Sequence, residues 1–129
     1  MKSLIAVVVV IVPAILAAAS APARANVSLV DNNKTVDIDC AKDPEVSVLG
    51  NNLIVSLTGV CTKLIVAGNN AKVTGSATLV LVPGNNNTVT IDAADNVSVP
   101  GNDNTVTVKK AIKLKAPKVS NPGNHNKVN

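Results

Sequence analysis

Residues 84–90 read Gly-Asn-Asn-Asn-Thr-Val-Thr, and residues 101–107 repeat them as Gly-Asn-Asp-Asn-Thr-Val-Thr. The pattern extends along the chain in both directions, because six times an Asn that follows Gly or Asp stands four residues before a Val. The six Asn are Asn32, Asn51, Asn69, Asn85, Asn102 and Asn124, and their partners are Val36, Val55, Val73, Val89, Val106 and Val128. An internal repeat of this kind indicates a repeat architecture, in which each unit packs on its neighbours.

Apolar and polar residues alternate on both sides of each turn, which is typical of β-strands. Val80 and Val82 precede one such turn, and Val89 and Ile91 follow it. Most of these residues are β-branched, which suits a pleated and half-buried surface. The two strands can face one interior only if the turn redirects the chain. Gly offers backbone freedom for this corner, and Asn tolerates left-handed conformations nearby.

The Gly or Asp residues at the six turns are spaced by 19, 18, 16, 17 and 22 residues. With a nearly constant period, stacked coils bring Asn onto Asn and Val onto Val, as in cross-β ladders. We therefore predict an all-β chain that forms a short parallel β-solenoid of five to six coils, with a period of about 17 residues. An antiparallel β-sandwich is the alternative, but it gives no reason for this constant phase. The chain has no aromatic residue, which fits a thin interior.

The N-terminal segment, residues 1–25, has the layout of a secretory signal peptide. Lys2 precedes an apolar run at residues 4–19, and Ala23-Arg24-Ala25 forms a small-x-small cleavage site. We predict cleavage after Ala25, with Ala23 as the alternative. An uncleaved membrane anchor is the competing interpretation, but the run is short for a spanning helix. We expect a secreted, periplasmic or cell-envelope protein with no stable transmembrane segment after cleavage.

The mature chain is predicted to be one domain, with solenoid repeats at residues 26–108 and a Lys-rich C-terminal coil or cap at residues 109–129. Cys40 and Cys61 are the only cysteines, and neighbouring coils would bring them together. Export permits a disulfide, so we predict a structural one between them. A redox or metal pair is the alternative, which the absence of a C-x-x-C motif disfavours.

Charge is divided unevenly along the mature chain. Residues 26–108 contain four Lys and eight acids, whereas residues 109–129 contain six Lys and no acid. The candidate contacts for an anionic envelope polymer or glycan are Lys109, Lys110, Lys113, Lys115 and Lys118. The alternative is a solvated bulge that protects the edge of the last coil. Nucleic acid is not expected as a partner, because the chain is exported and has no aromatic side chain to stack on bases.

No arrangement of residues points convincingly to catalysis. His125 is the only histidine and stands where other repeats have Asn or Asp. The carboxylates of Asp92, Asp95 and Asp103 could cluster on neighbouring coils, but the chain between strands is too short to build a cleft. We predict a protein that is not an enzyme and has no cofactor or metal. A calcium-dependent or polysaccharide-acting β-helix is one alternative, and a self-associating structural protein of open oligomeric state is another.

Several motifs together resemble one known family. They are the Cys40 region, Gly50-Asn51-Asn52, Leu57-Thr58-Gly59-Val60-Cys61, Gly68-Asn69-Asn70 and the two heptapeptides at 84–90 and 101–107. They resemble domain of unknown function 3060 (DUF3060), a family found in secreted and lipid-anchored proteins of mycobacteria and related actinobacteria. The resemblance covers residues 31–108 and implies export and a repeat fold, but no activity. We therefore expect an exported binding or structural module of the cell envelope.

Overall fold

The alternating aliphatic residues form β-strands throughout the part of the chain that the structure describes. The structure, a computed structural model, describes residues 26–129, so the predicted signal peptide lies outside the described residues. The strands are β1 (Asn26–Leu29), β2 (Thr35–Asp39), β3 (Glu45–Val48), β4 (Ile54–Val66), β5 (Lys72–Leu81), β6 (Thr88–Ala93), β7 (Asn96–Ser98), β8 (Thr105–Lys110), β9 (Lys118–Ser120) and β10 (Lys127–Val128). Within the described chain, no helix is long and apolar enough to cross a membrane.

The strands form two stacks in which every pairing is parallel. The stack before the turns, called the pre-turn sheet, has the order β1-β3-β4-β5-β7-β9. The stack after the turns, called the post-turn sheet, has the order β2-β4-β5-β6-β8-β10. Strands β4 and β5 are long enough to take part in both stacks. Six coils result, which confirms the predicted parallel β-solenoid.

Each coil lies one repeat above the previous one. In the post-turn sheet, Val36 pairs with Val55, Val55 with Val73, and the column continues through the Val of every repeat to Val128. The inward-facing residues of both sheets form one aliphatic core. Their side chains are Val, Leu, Ile and Ala, together with both cysteines. Small aliphatic side chains fill this thin interior without a ring.

The turn glycines are required by close backbone approach. A Cβ on Gly101 would collide with the carbonyl oxygen of Gly84 in the preceding coil and would lie 2.9 Å from Nδ2 of Asn104. The other turn glycines would meet the preceding coil in the same way. The left-handed residue is instead the second one after each Gly or Asp, with φ between 54° and 57°. These residues are Asn33, Asn52, Asn70, Asn86, Asp103 and His125.

Two irregularities explain the uneven spacing of the repeats. In β4, three residues separate Ser56 from Val60, whereas only one residue separates their partners Thr74 and Ser76 in β5. Strand β4 therefore contains a bulge of two extra residues. Gly75 has a φ of 145°, and a Cβ there would collide with the side chain of Leu57. A longer insertion, residues 111–117, separates β8 from β9 and accounts for the final spacing of 22.

The first two coils are joined by the predicted disulfide. Cys40 and Cys61 are both buried, their Cα atoms lie 4.8 Å apart, and their sulfur atoms are bonded. The bond closes a loop over a sequence separation of 21. A loop of this size stabilises a fold by roughly 3 kcal/mol, because it restricts the unfolded chain. The disulfide therefore anchors the N-terminal end of the stack.

We expect Gly101→Ala to lower the free energy of unfolding by about 1–3 kcal/mol, because the new methyl group must push neighbouring coils apart. Asp31→Ala is the matched control, since Asp31 stands at the same phase in the first coil, where no described coil lies beneath it. That change should stay within about 0.5 kcal/mol, as is usual for exposed positions. Urea unfolding followed by circular dichroism measures both. Equal midpoints for the two variants would contradict this explanation of the glycines.

Candidate functional surface

The six predicted turn asparagines lie in one column on the outside of the corner. The Oδ1 atom of Asn32 accepts a hydrogen bond from the backbone N–H of Asn51 at 2.7 Å. The same bond joins each later pair along the column, at 3.0 to 3.2 Å. This column, called the outer ladder, therefore links side chain to backbone across all six coils. Four of its five acceptors are well exposed to solvent, and Asn85 is half-buried.

A second asparagine column, called the inner ladder, lies inside the last three coils. It consists of Asn87, Asn104 and Asn126, each three residues after the turn Gly. Asn87 and Asn104 are each only 1% exposed. The Oδ1 atom of Asn104 accepts the backbone N–H of Asn87 at 2.9 Å, and its Nδ2 donates to the carbonyl of Gly84 at 2.9 Å. Sequence reasoning missed this ladder, although its signal was a third Asn at constant phase.

The two ladders run in opposite directions along the stack. In the outer ladder, the later coil donates its N–H to the side chain of the earlier coil. In the inner ladder, the earlier coil donates its N–H to the side chain of the later coil. In the first three coils, the phase of the inner ladder is occupied by Lys34, Leu53 and Ala71. Leu53 and Ala71 are buried and continue the aliphatic core.

The Lys-rich insertion is held against the stack by one carboxylate. Asp95 is 4% exposed, and its Oδ1 atom accepts the backbone N–H groups of Ile112, Lys113 and Leu114 at 2.8, 2.9 and 3.2 Å. The backbone of Asp95 adds two further bonds, from its N–H to the carbonyl of Thr78 and from its carbonyl to the N–H of Lys118. Asp95 therefore fixes the position of the insertion against the stack.

The same contacts stabilise the ionised form of Asp95. The backbone N–H of Lys113 lowers the pKa of the Asp95 carboxyl most strongly, and the N–H groups of Leu114 and Ile112 add to it. Burial works in the opposite direction, and the charge of Lys113 contributes to the lowering. Hydrogen bonds to a carboxylate favour its charged form. The Asp95 carboxylate thus holds the insertion, and the backbone amides of the insertion in turn stabilise the negative charge of this carboxylate.

The five predicted lysine contacts surround this insertion, and all are exposed. Lys110 ends β8, Lys118 begins β9, and Lys113 and Lys115 lie between them. Lys109 forms an exposed ion pair with Asp92, with Nζ to Oδ1 at 2.8 Å. We call the exposed surface formed by Lys110, Lys113, Lys115 and Lys118 the basic patch.

A shallow cavity of about 270 Å³ adjoins the basic patch on the outside of the pre-turn sheet. Its polar lining comes from Asn96, Ser98, Lys118 and Ser120, and its apolar lining from Leu79, Val97 and Val119. Lys118 belongs to both the patch and the cavity. A ligand group held by this lysine could therefore rest beside an apolar surface.

The carboxylates considered for catalysis have separate partners. Asp92 pairs with Lys109, Asp95 holds the insertion, and Asp103 lies 3.6 Å from Nδ1 of His125. His125 takes the left-handed turn position that Asp103 takes one coil earlier. Across residues 26–129, no group of three or more His, Cys, Asp or Glu side chains is placed to hold a metal ion.

We expect Asn104→Ala to destabilise the fold far more than Asn102→Ala. The first change leaves the buried N–H of Asn87 and the carbonyl of Gly84 without their side-chain partner, at about 1–3 kcal/mol for each unsatisfied group. The second removes an exposed acceptor that water can replace. Urea unfolding of both variants provides the comparison. Similar losses of stability would show that the inner ladder is not a special element of the core.

We expect Asp95→Ala to release the insertion, because three backbone N–H groups lose their acceptor. Trypsin should then cleave after Lys113 and Lys115 faster than in the parent chain. Asp92→Ala is the control, since Asp92 only pairs with a surface lysine. In the parent chain, the lowered pKa means that the carboxylate supports the fold above its ordinary value of 3.8 and loses this effect as the pH falls through the lower folded value.

Hydrogen exchange followed by NMR tests the pH dependence at the amides of Ile112, Lys113 and Leu114. Their protection should persist down to pH 3.8 and disappear only below it. Protection that is lost at a higher pH, or unchanged trypsin cleavage in Asp95→Ala, would contradict the role of this carboxylate.

Comparison with known proteins agrees with the resemblance based on the motifs. Residues 68–125 match a family model whose description is Protein of unknown function (DUF3060). The match includes the last four turn glycines, Asn87 and Asn104 of the inner ladder, Asp95 and the insertion. The chain has no match among curated proteins or among solved structures. Residues 68–125 of the six-coil parallel β-solenoid are therefore similar to the DUF3060 family, as the motifs indicated.

Proposed function

We propose that this protein is an exported, non-enzymatic module that binds anionic polymers of the cell envelope through its basic patch. The observation that carries the proposal is the contact between Asp95 and the insertion. Three backbone amides are fixed by one buried oxygen. The lysines that follow β8 are therefore presented from an ordered surface, and binding would cost less loop ordering than it would from a flexible tail.

The four lysines of the basic patch keep their charge available to a ligand, because none of them forms an ion pair among the described residues. Lys109 is already paired with Asp92, and Asp95 is engaged by the backbone amides of the insertion. Residues 109–129 carry six lysines and no acidic residue, while the rest of the mature chain is net acidic. Such an asymmetric field attracts an anionic polymer toward one end of the solenoid. Lysine suits this role, since it interacts with phosphate or carboxylate as a point charge.

The neighbouring cavity extends the proposed contact beyond charge. Lys118 lines it together with serine and asparagine side chains and with Leu79 and Val119. A polymer repeat could place its anionic group against the lysines and its uncharged part in this cavity. The disulfide supports the assignment to the envelope, because such bonds persist in oxidising compartments.

The proposal is tested by co-sedimentation of residues 26–129 with purified envelope fractions at low and high salt. The parent chain should sediment with the fractions at low salt, and binding should weaken as salt screens the exposed charges. The triple variant Lys110→Gln, Lys113→Gln, Lys115→Gln should lose most of this binding. Substitution is preferable to truncation at residue 108, since truncation would remove β9 and β10 and expose the fifth coil.

The matched control is Lys42→Gln, Lys63→Gln, Lys72→Gln, which removes the same charge from the first half of the solenoid, outside the basic patch. Its binding should equal that of the parent chain. Equal binding by the basic-patch variant would refute the proposed site, and salt-insensitive binding would point instead to a neutral glycan on the exposed asparagines of the outer ladder. Absence of binding by the parent chain would refute the function itself.

A further inference from the structure

The two ends of the solenoid are open strand edges of different chemistry. At the N-terminal end, β1 and β2 pair on one side only within the described chain, and at the C-terminal end β9 and β10 do the same. Open parallel edges are templates for the addition of another strand. Because the two ends are different, such addition would be head-to-tail and would not close, so it would continue into a filament.

Electrostatics favours this head-to-tail contact. The first coil carries Asp31, Asp37 and Asp39, and the last coil carries Lys118 and Lys127. Extending the register of the post-turn sheet by one coil would place Lys127 of one copy against Thr35 of the next, beside Asp37. Opposite charges would therefore meet at the junction. Some feature of the ends must oppose this attraction if the protein is to remain a single unit.

The last coil repeats the turn that an added coil would use, and its short post-turn strand β10 continues the Val column to Val128. Gly123, Asn124, His125 and Asn126 repeat the turn of the earlier coils. By the pattern of both ladders, Oδ1 of Asn124 would accept an N–H from an added coil, and the N–H of Asn126 would donate to an inner asparagine there. The C-terminal edge thus retains the turn groups to which an added coil would bind.

The first coil differs from this pattern at two positions. Asp31 stands where every later turn has Gly. At all five of those glycines, a Cβ would collide with the carbonyl oxygen of the coil beneath. In a head-to-tail contact, the Cβ of Asp31 would therefore strike the carbonyl oxygen of Gly123 in the other copy.

Lys34 is the second difference, since it occupies the phase of the inner ladder. An ammonium group offers no acceptor for the N–H of Asn126 in another copy. Lys34 instead forms an exposed ion pair with Asp31, with Nζ to Oδ2 at 2.8 Å. A charged residue at an otherwise inward-facing position is a known protection of sheet edges.

We propose that Asp31 and Lys34 form a stop that prevents a second copy of this chain from docking head-to-tail on the solenoid. Asp31 acts by steric exclusion at the corner, and Lys34 acts by removing the acceptor and placing a charge at the junction. The stop lies at the acidic end of the solenoid. Without it, electrostatic attraction would bring this end to the basic end of another copy.

The test is analytical ultracentrifugation of residues 26–129, which contain all ten strands and the disulfide. The parent chain should keep its monomer mass over a wide concentration range. The apparent mass of the variant Asp31→Gly, Lys34→Asn should increase with concentration toward multiples of the monomer mass, because the variant removes the clash and supplies an inner asparagine.

The control variant Lys42→Asn, Asp43→Gly makes the same charge changes in the loop between β2 and β3 and should remain monomeric. The proposal is overturned if the Asp31→Gly, Lys34→Asn variant stays folded and monomeric, or if the parent chain or the control associates equally. Circular dichroism establishes folding. If the double variant does not fold, the single variant Asp31→Gly replaces it in the same experiment, and a monomeric result for it overturns the stop.

Discussion

The structure depends on one contact, the approach of each turn to the carbonyl oxygen of the turn beneath it. Only a residue without a Cβ fits there, so the Gly in every coil after the first sets the height of that coil on the one beneath it. With the corners in register, the Val of every repeat meets the Val of its neighbour. The backbone hydrogen bonds of both sheets can then form, because parallel strands pair when neighbouring coils are in register.

Asparagine serves this stack in two environments because its amide both donates and accepts. In the outer ladder, Oδ1 accepts a backbone N–H beside water, and the bond mainly orders the corner. In the inner ladder, the whole amide is buried and both of its polar atoms are bonded. Among the described residues, no buried side-chain nitrogen or oxygen lacks a partner. A carboxylate could not repeat in this way, since it lacks the donor and its charge would accumulate along the column.

The irregular positions carry the properties that distinguish one part of the solenoid from another. Cys61 follows the bulge in β4 and bonds to Cys40, the insertion after β8 presents lysines, and the first turn replaces Gly with Asp. Each departure interrupts a column that is otherwise uniform. A fully regular stack would present the same surface at every coil. A binding site at one end of the solenoid therefore requires irregular positions of this kind. The proposed polymer site and the proposed stop both depend on them, at opposite ends of the chain.

The sequence by itself determined the strands, the parallel stacking, the number of coils and the cysteine pair, because alternation and repeat phase are visible in the residues of each repeat. It also placed the six outer asparagines at one phase. It did not reveal that Gly is required for close approach, that Asn87 and Asn104 are buried, or that Asp95 holds the insertion. Those facts depend on contacts between residues 16 to 22 positions apart. Only stacking creates these contacts, because the turn oxygen, the buried amide and the insertion acquire their partners from a neighbouring coil.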